Sequence, residues 1–263
     1  MKKLAETHVL ARILEAKRER VENSKLRVPD AIVRKMASTA NSVPSFRRAL
    51  EADTGTRIIA EIKKASPSAG VLIDDLDVSV LARTYARAGA AAISVVTEED
   101  FFQGSLAWVG VASRSSGLPV LRKDFVFDSY QLAETRAAGA SAILLIVAML
   151  EPTELRELLE ACSELGIDAL VEVHDEAELG EALGAGASIV GVNNRNLKTF
   201  DVSIETGVRL GKQIPEGVLF VAESGIHQKS DVVQLGDAGA DAFLVGEKLV
   251  RSQAPGAALK ELL

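Results

Sequence analysis

The chain has 263 residues, 48% hydrophobic and 25% charged, values of an ordered globular protein that exclude global disorder. Aromatics make up only 4%, while Ala, Val, Ile and Leu abound, which suits the small branched core of a layered parallel sheet. The net charge of −7 is uneven: residues 1–56 hold 12 Lys/Arg against 7 Asp/Glu, and the remainder is acidic. Acids mixed into that basic arm, without interleaved aromatics, argue against nucleic acid as a partner. The longest apolar run, 142–150, falls far short of the roughly 20 residues that span a bilayer, so no membrane partner is expected. The single Cys162 rules out an internal disulfide and a cysteine metal cluster. No apolar segment follows Met1-Lys2-Lys3 as in a secretory leader, and a reducing, cytoplasmic setting is expected.

In chain order, Leu10, Ile13, Leu14 and Val21 fall near helical spacing and predict a helix packing one face on a body. Pro29 and Pro44 divide the stretch between that helix and residue 56. From residue 57 the texture alternates. Apolar, β-rich runs at 57–63, 91–97, 119–123, 141–147, 168–173, 188–193, 218–223 and 241–246 read as strands. Helical patterns follow each, near 78–89, 104–116, 128–138, 152–165, 175–185, 203–213, 228–238 and 255–262. A glycine recurs at the helix-to-strand junctions, as in Ala88-Gly89-Ala90 and Ala185-Gly186-Ala187, where a chain leaving a helix often turns left-handed. Eight such units in about 200 residues predict a closed (β/α)8 TIM barrel. The glycine fingerprint of a doubly wound sheet is missing after the first strand. The expected organisation is one barrel domain over 1–263, with 1–56 an N-terminal helical extension packed across one end.

A barrel carries its site at the C-terminal strand ends. There the sequence places Glu61 and Lys63, Lys123, Glu172, Asn193 with Arg195, Glu223-Ser224-Gly225 and Gly246-Glu247. Glu61 and Lys63, two apart, share a side of their strand. Glu61, Lys63, Lys123 and Glu172 bring two charges of each sign to one mouth, costly in an apolar strand unless paired. Charged or amide groups at so many ends of one face favour catalysis over an ion-pair network that merely closes the barrel. Ser224-Gly225 and Gly246-Glu247, with Ser66 from the first loop, read as a phosphate cradle. His174 is expected to turn outward from Glu172, toward solvent or a supporting position. No His/Asp/Glu set has metal-ligand spacing, so neither a metal nor another cofactor is expected. A lyase or isomerase acting on a sugar phosphate fits these residues.

The stretch Glu61-Ile62-Lys63-Lys64-Ala65-Ser66-Pro67-Ser68 resembles the signature of the indole-3-glycerol-phosphate synthase family of tryptophan biosynthesis. Thr97-Glu98-Glu99-Asp100-Phe101-Phe102, Leu121-Arg122-Lys123-Asp124-Phe125, Val171-Glu172-Val173-His174, Gly191-Val192-Asn193-Asn194-Arg195-Asn196-Leu197 and Ala222-Glu223-Ser224-Gly225 extend the resemblance in order over nearly the whole chain. Glu247-Lys248 departs from it, since small hydroxyl residues often follow that glycine. The resemblance implies ring closure of 1-(o-carboxyphenylamino)-1-deoxyribulose 5-phosphate with loss of CO2 and water. It implies Lys123 as general acid at the ketone oxygen, with Glu172 as the second acid–base group, its pKa moved toward neutrality by burial beside other acids. Lys63 would hold the substrate carboxylate; Glu61 and Asn193, and Ser224 beside them, would complete the catalytic set. Phe102, Phe125 and Leu197 would wall the aromatic ring, and Arg195 would face acids or carboxylate. Lys123 is expected among Glu61, Glu172 and Asp124. A monomer is expected. Two alternatives stay open: a Schiff-base aldolase or synthase using Lys63 or Lys123, and a non-catalytic phosphate-binding barrel.

Overall fold

Every β-rich run becomes a strand because each is apolar on both faces and can be covered on both. The computed structural model describes residues 1–2, 9–51, 55–196 and 199–263. Its strands are β1 (Ile58–Ile62), β2 (Ala92–Val96), β3 (Val120–Lys123), β4 (Ala142–Ile146), β5 (Asp168–Val173), β6 (Ile189–Asn193), β7 (Leu219–Glu223) and β8 (Ala242–Val245). All eight pair in parallel with their chain neighbours, and β8 pairs with β1 to close the barrel. Closure leaves no sheet edge.

Helices α1 (Val9–Arg27), α2 (Asp30–Ser38) and α3 (Phe46–Leu50) precede β1. After β1 come α4 (Val78–Ala88), α5 (Ala107–Ser116), α6 (Ser129–Ala137), α7 (Pro152–Leu165), α8 (Glu176–Ala185), α9 (Glu205–Gly211) and α10 (Lys229–Asp237). After β8 lie α11 (Glu247–Val250) and α12 (Pro255–Lys260). Local chemistry sets their ends. Asp77, Asp128 and Asp175 accept N–H groups at the starts of α4, α6 and α8. Gly89 and Gly186 end α4 and α8 in the left-handed region, at φ of 102° and 93°. The short α11 and a small hairpin, Ala65–Ser66 with Gly70–Val71, were not expected; both are too short to leave a periodic pattern.

The extension does not lie across one end, as expected, but runs from one end to the other. Helix α1 crosses the C-terminal rim, where Leu10, Ile13 and Leu14 are buried, each worth ~1.5–3 kcal/mol of apolar burial. Helix α2 packs on α6 through Val33 and Ala37 against Tyr130 and Ala133. At the opposite end, buried Phe46 and the Arg47 N–H, 2.9 Å from Asp168 Oδ2, plug the floor where β5 begins. Three helices separated by prolines can bend round the barrel; one long helix could not.

Lys17 ties α1 to the barrel. Its buried ammonium is 2.8 Å from both Glu99 Oε2 and Asp124 Oδ1. Asp124 also accepts from Thr97 Oγ1 at 2.6 Å and from Arg122 at 3.0 Å. The expectation that Asp124 surrounds Lys123 is therefore wrong. Adjacent residues at a strand end project to opposite sides, so this outward cluster holds Asp124 while Lys123 points into the barrel.

Candidate active site

The mouth is built on a ring of four charged residues, one from each odd-numbered strand: Glu61 on β1, Lys123 on β3, Glu172 on β5 and Glu223 on β7. Layers of four from alternate strands are how such barrels fill their interior, and here the outermost layer is ionic. Lys123 Nζ lies 3.0 Å from Glu172 Oε2 and 3.0 Å from Glu223 Oε2. Lys63 Nζ bonds Glu61 Oε1 at 2.6 Å. All three carboxylates are buried. Two glycines make room for them, since a Cβ at Gly191 would overlap Glu223 Oε1 and one at Gly246 would overlap Glu61 Oε1.

Burial raises the pKa of Glu61, but Lys63 and Lys123 outweigh it and hold the group below the usual carboxylate range. Glu172 behaves likewise: burial opposes ionisation, and Lys123 with His174 reverses it. The expectation that Glu172 moves toward neutrality is thus overturned. Glu223 takes that place, pushed up to about 7 by burial and by the neighbouring Glu172, which together exceed the pull of Lys123. Lys123 is penalised by burial, yet the carboxylates around it raise its pKa above the ordinary lysine range. His174 does not turn outward either. Residues two apart on a strand share a face, and His174 Nε2 lies 3.3 Å from Glu172 Oε1.

Above the ring opens a cavity of about 240 Å³. It brings together Glu61, Lys63, Ser66, Phe102, Lys123, Phe125, Glu172, Asn193, Arg195, Ser224, Gly225, Gly246 and Glu247. Leu197 lies outside the described residues. Phe102 and Phe125 face each other with centroids 6.1 Å apart. Phe102 is seated by Glu98, whose carboxylate accepts the N–H groups of Asp100, Phe101 and Phe102 at 2.8–3.0 Å. Val9, Leu10 and Ile13 of α1 complete the apolar wall.

On the other flank, Ser224 and Gly225 both take positive φ, 66° and 75°. The strained serine is held by Asn194, whose Nδ2 donates to Ser224 O at 3.0 Å and whose Oδ1 accepts from Gly207 N at 2.8 Å. The main-chain N–H groups of Ser224, Gly225, Gly246 and Glu247 take no partner among the described residues. The Glu247 carboxylate turns away to Arg251 at 3.0 Å, with Arg195 3.8 Å off on its other side. Among the described residues no group of three or more His, Cys, Asp or Glu is arranged to hold a metal ion. No helix among them is long and apolar enough to cross a membrane.

The family model described as indole-3-glycerol phosphate synthase matches residues 10–262. The chain belongs to that family. An indole-3-glycerol phosphate synthase of Chlorobium phaeovibrioides is 49% identical over 241 residues, covering 91% of this chain and 93% of its own. One of Roseiflexus is 48% identical and covers 97% of both chains. Solved structures add the fold alone: a 3-hexulose-6-phosphate synthase from Salmonella typhimurium superposes with a TM-score of 0.63 at 12% identity, covering 79% of this chain and 96% of that one. A thiamine phosphate pyrophosphorylase from Pyrococcus furiosus gives 0.58 at 16%, covering 79% and 93%. Indole-3-glycerol phosphate synthase activity is therefore the activity of this chain, which makes it a carboxy-lyase of tryptophan biosynthesis acting on a sugar-phosphate substrate.

Sequence reasoning gave no role to Glu223 and offered His174 only solvent or a supporting position. Glu223 ends its strand as Glu61 and Glu172 end theirs, and that parallel was the available signal. His174 had the spacing that marks a shared face.

Proposed function

We propose that the ionic ring performs the ring closure, with Lys123 as general acid and Glu172 as the base beside it. The observation that carries this is the pair of 3.0 Å contacts from Lys123 Nζ to Glu172 and Glu223. They hold an ammonium inside the barrel and keep it protonated, fit to donate a hydrogen bond and then a proton to a ketone oxygen. An amine poised for Schiff-base formation needs the opposite shift, so the lysine-aldolase reading loses ground.

In the proposed sequence the aromatic carbon bearing the carboxylate bonds to the ketone carbon while Lys123 protonates the ketone oxygen. Loss of CO2 returns its electron pair to the ring. Glu172 then takes a proton from the methylene carbon as the hydroxyl leaves as water. Two protons reach the departing oxygen and one leaves the methylene, so one enters from solvent per turnover, balancing the carboxylate charge lost as CO2. No electrons are gained or lost overall, and the step calls for no redox cofactor. Lys63 holds the carboxylate until it departs, while Glu61 and Asn193 orient lysine and substrate.

Phe102 and Phe125 wall the aromatic ring; Arg195 reaches the same mouth. The phosphate is seated by Ser66, Ser224, Gly225, Gly246 and Glu247, the last through its N–H alone. One chain supplies every residue named, so a monomer acting in the cytoplasm, organised as one barrel domain with its extension, suffices. Glu172→Gln tests the reading: the amide keeps the shape and cannot exchange protons, so kcat should fall ~10²- to 10⁴-fold with KM nearly unchanged. Indole fluorescence follows the product, and a kcat near that of the unsubstituted enzyme would demote Glu172 to a structural ion pair.

A further inference from the structure

Glu172 and Glu223 are two buried carboxylates in one ring, and each offers Oε2 to Lys123 at the same 3.0 Å. They differ at Oε1. Glu223 Oε1 has no hydrogen-bond partner among the described residues, and neither has His174 Nε2, but that nitrogen stands 3.3 Å from Glu172 Oε1, at ion-pair distance though outside hydrogen-bond geometry. The imidazole is itself fixed from behind. Its Nδ1 is 2.9 Å from Glu178 Oε2, which also accepts the His174 main-chain N–H at 2.8 Å. Glu178 sits in the first turn of α8, where its own N–H bonds the capping Asp175 Oδ1 at 2.9 Å. A carboxylate within ion-pair distance of each ring nitrogen favours the doubly protonated ring.

We infer that His174 is a positioning residue acting through Glu172: anchored by Glu178 at the start of α8, its imidazolium fixes Glu172 Oε1 and keeps that carboxylate in its proton-accepting form. The inference rests on Glu172 being the base proposed above. It explains why two carboxylates sharing one lysine serve different ends. The groups facing Glu172 are Lys123 on β3, Glu223 on β7, Glu61 on β1 and His174 beyond β5; those facing His174 are Glu172 and Glu178. Without the imidazolium, Glu172 would be left with one half-shared cation against burial and two like charges, the situation of Glu223, whose pKa stands near 7. Consistent with the geometry, the two carboxylates raise the imidazole to about 10 despite its burial.

The test has two parts. In the intact enzyme with labelled histidine, NMR across the pH range should show His174 doubly protonated well beyond the ordinary imidazole range; titration near ~6.5 would overturn the inference. In single-turnover kinetics, His174→Ala should move the acid limb of the rate profile upward by about one pH unit or more, because loss of a positive neighbour raises a carboxylate pKa. The rate below that limb then falls about tenfold per unit further than at alkaline pH, while KM, taken from separate steady-state runs, changes little. Glu178→Gln should shift the limb in the same direction but less, and it carries the test should His174→Ala fail to fold. An acid limb that stays in place in the folded variants overturns the inference. Failure of the underlying reading looks different: Glu172→Gln would then turn over normally, whatever His174 does.

Discussion

Replacing Lys123 with Met removes the cation that touches both Glu172 and Glu223 while keeping a side chain of similar length. Turnover should be lost. The more discriminating consequence is for stability. In the intact ring Glu223 holds its proton up to about pH 7, against ~4.3 in an unfolded chain. Its folded-state pKa is therefore raised, so its contribution to stability is full below the unfolded value and is lost as pH rises through the folded value. That loss proceeds at ~1.4 kcal/mol per unit and stops near the folded pKa. Without Lys123 the folded pKa rises further, and the loss continues to higher pH. The destabilisation by Lys123→Met should thus grow between roughly pH 6 and pH 8.5, at up to ~1.4 kcal/mol per pH unit once the pKa of Glu223 in the intact ring, about 7, is passed. Urea unfolding of both proteins at several pH values measures it; Glu172 and Glu61, which Lys123 also holds low, add to the loss in the same direction, and groups remote from Lys123 cancel in the difference. A destabilisation independent of pH over that range would refute Lys123 as the counter-ion of Glu223.

Gly191→Ala should impair catalysis more than binding, because the added Cβ must displace the Glu223 carboxylate from its place over β6; steady-state kcat against KM separates the two. Gly225→Ala should instead weaken substrate binding, since φ is 75° and the new Cβ would lie 2.7 Å from Val202 Cγ1, distorting the proposed phosphate cradle. A substrate lacking the phosphate should bind equally poorly to both forms, and calorimetry would show it. Exhaustive treatment with a chelator should leave turnover intact, and a loss restored by a divalent ion would sink the proton-transfer mechanism written here.

The fold was legible because several βα units share the same punctuation: aspartate caps start α4, α6 and α8, and a glycine ends α4, α5, α7 and α8. An apolar run covered on two faces, an aspartate at the next helix start and a glycine after its end are local signals, and all recur along the chain. What escaped was long-range. Nothing in Leu10 or Ile13 says that their helix lies over the C-terminal rim, and nothing in Phe46 and Arg47 says that theirs closes the floor. Helical spacing tells which face is buried but not what buries it. The hairpin in the first loop and the four-residue α11 were missed for another reason: neither is long enough to hold a period.

The site was legible in its residue types and less so in its electrostatics. Alternation correctly put Glu61 and Lys63 on one side, and the same rule, applied to Glu172 and His174, gives the contact that the structure has. Strand position alone could not say which acid remains ionised. Glu172 and Glu223 have the same residue type, the same burial and the same lysine; burial and the neighbouring Glu172 push Glu223 up, whereas Lys123 and His174 together bring Glu172 down. Counting Glu61, Glu172, Glu178 and Glu223 against Lys63, Lys123 and the His174 imidazolium leaves the ring and its anchor one negative charge when all are charged. One proton on Glu223 brings it to neutrality, which removes a net charge that would repel a substrate arriving with a carboxylate and a phosphate. The carboxylate leaves as CO2 and takes its charge with it, so the decarboxylated product carries one negative charge fewer and any cation that pairs with that carboxylate holds the product less tightly than the substrate.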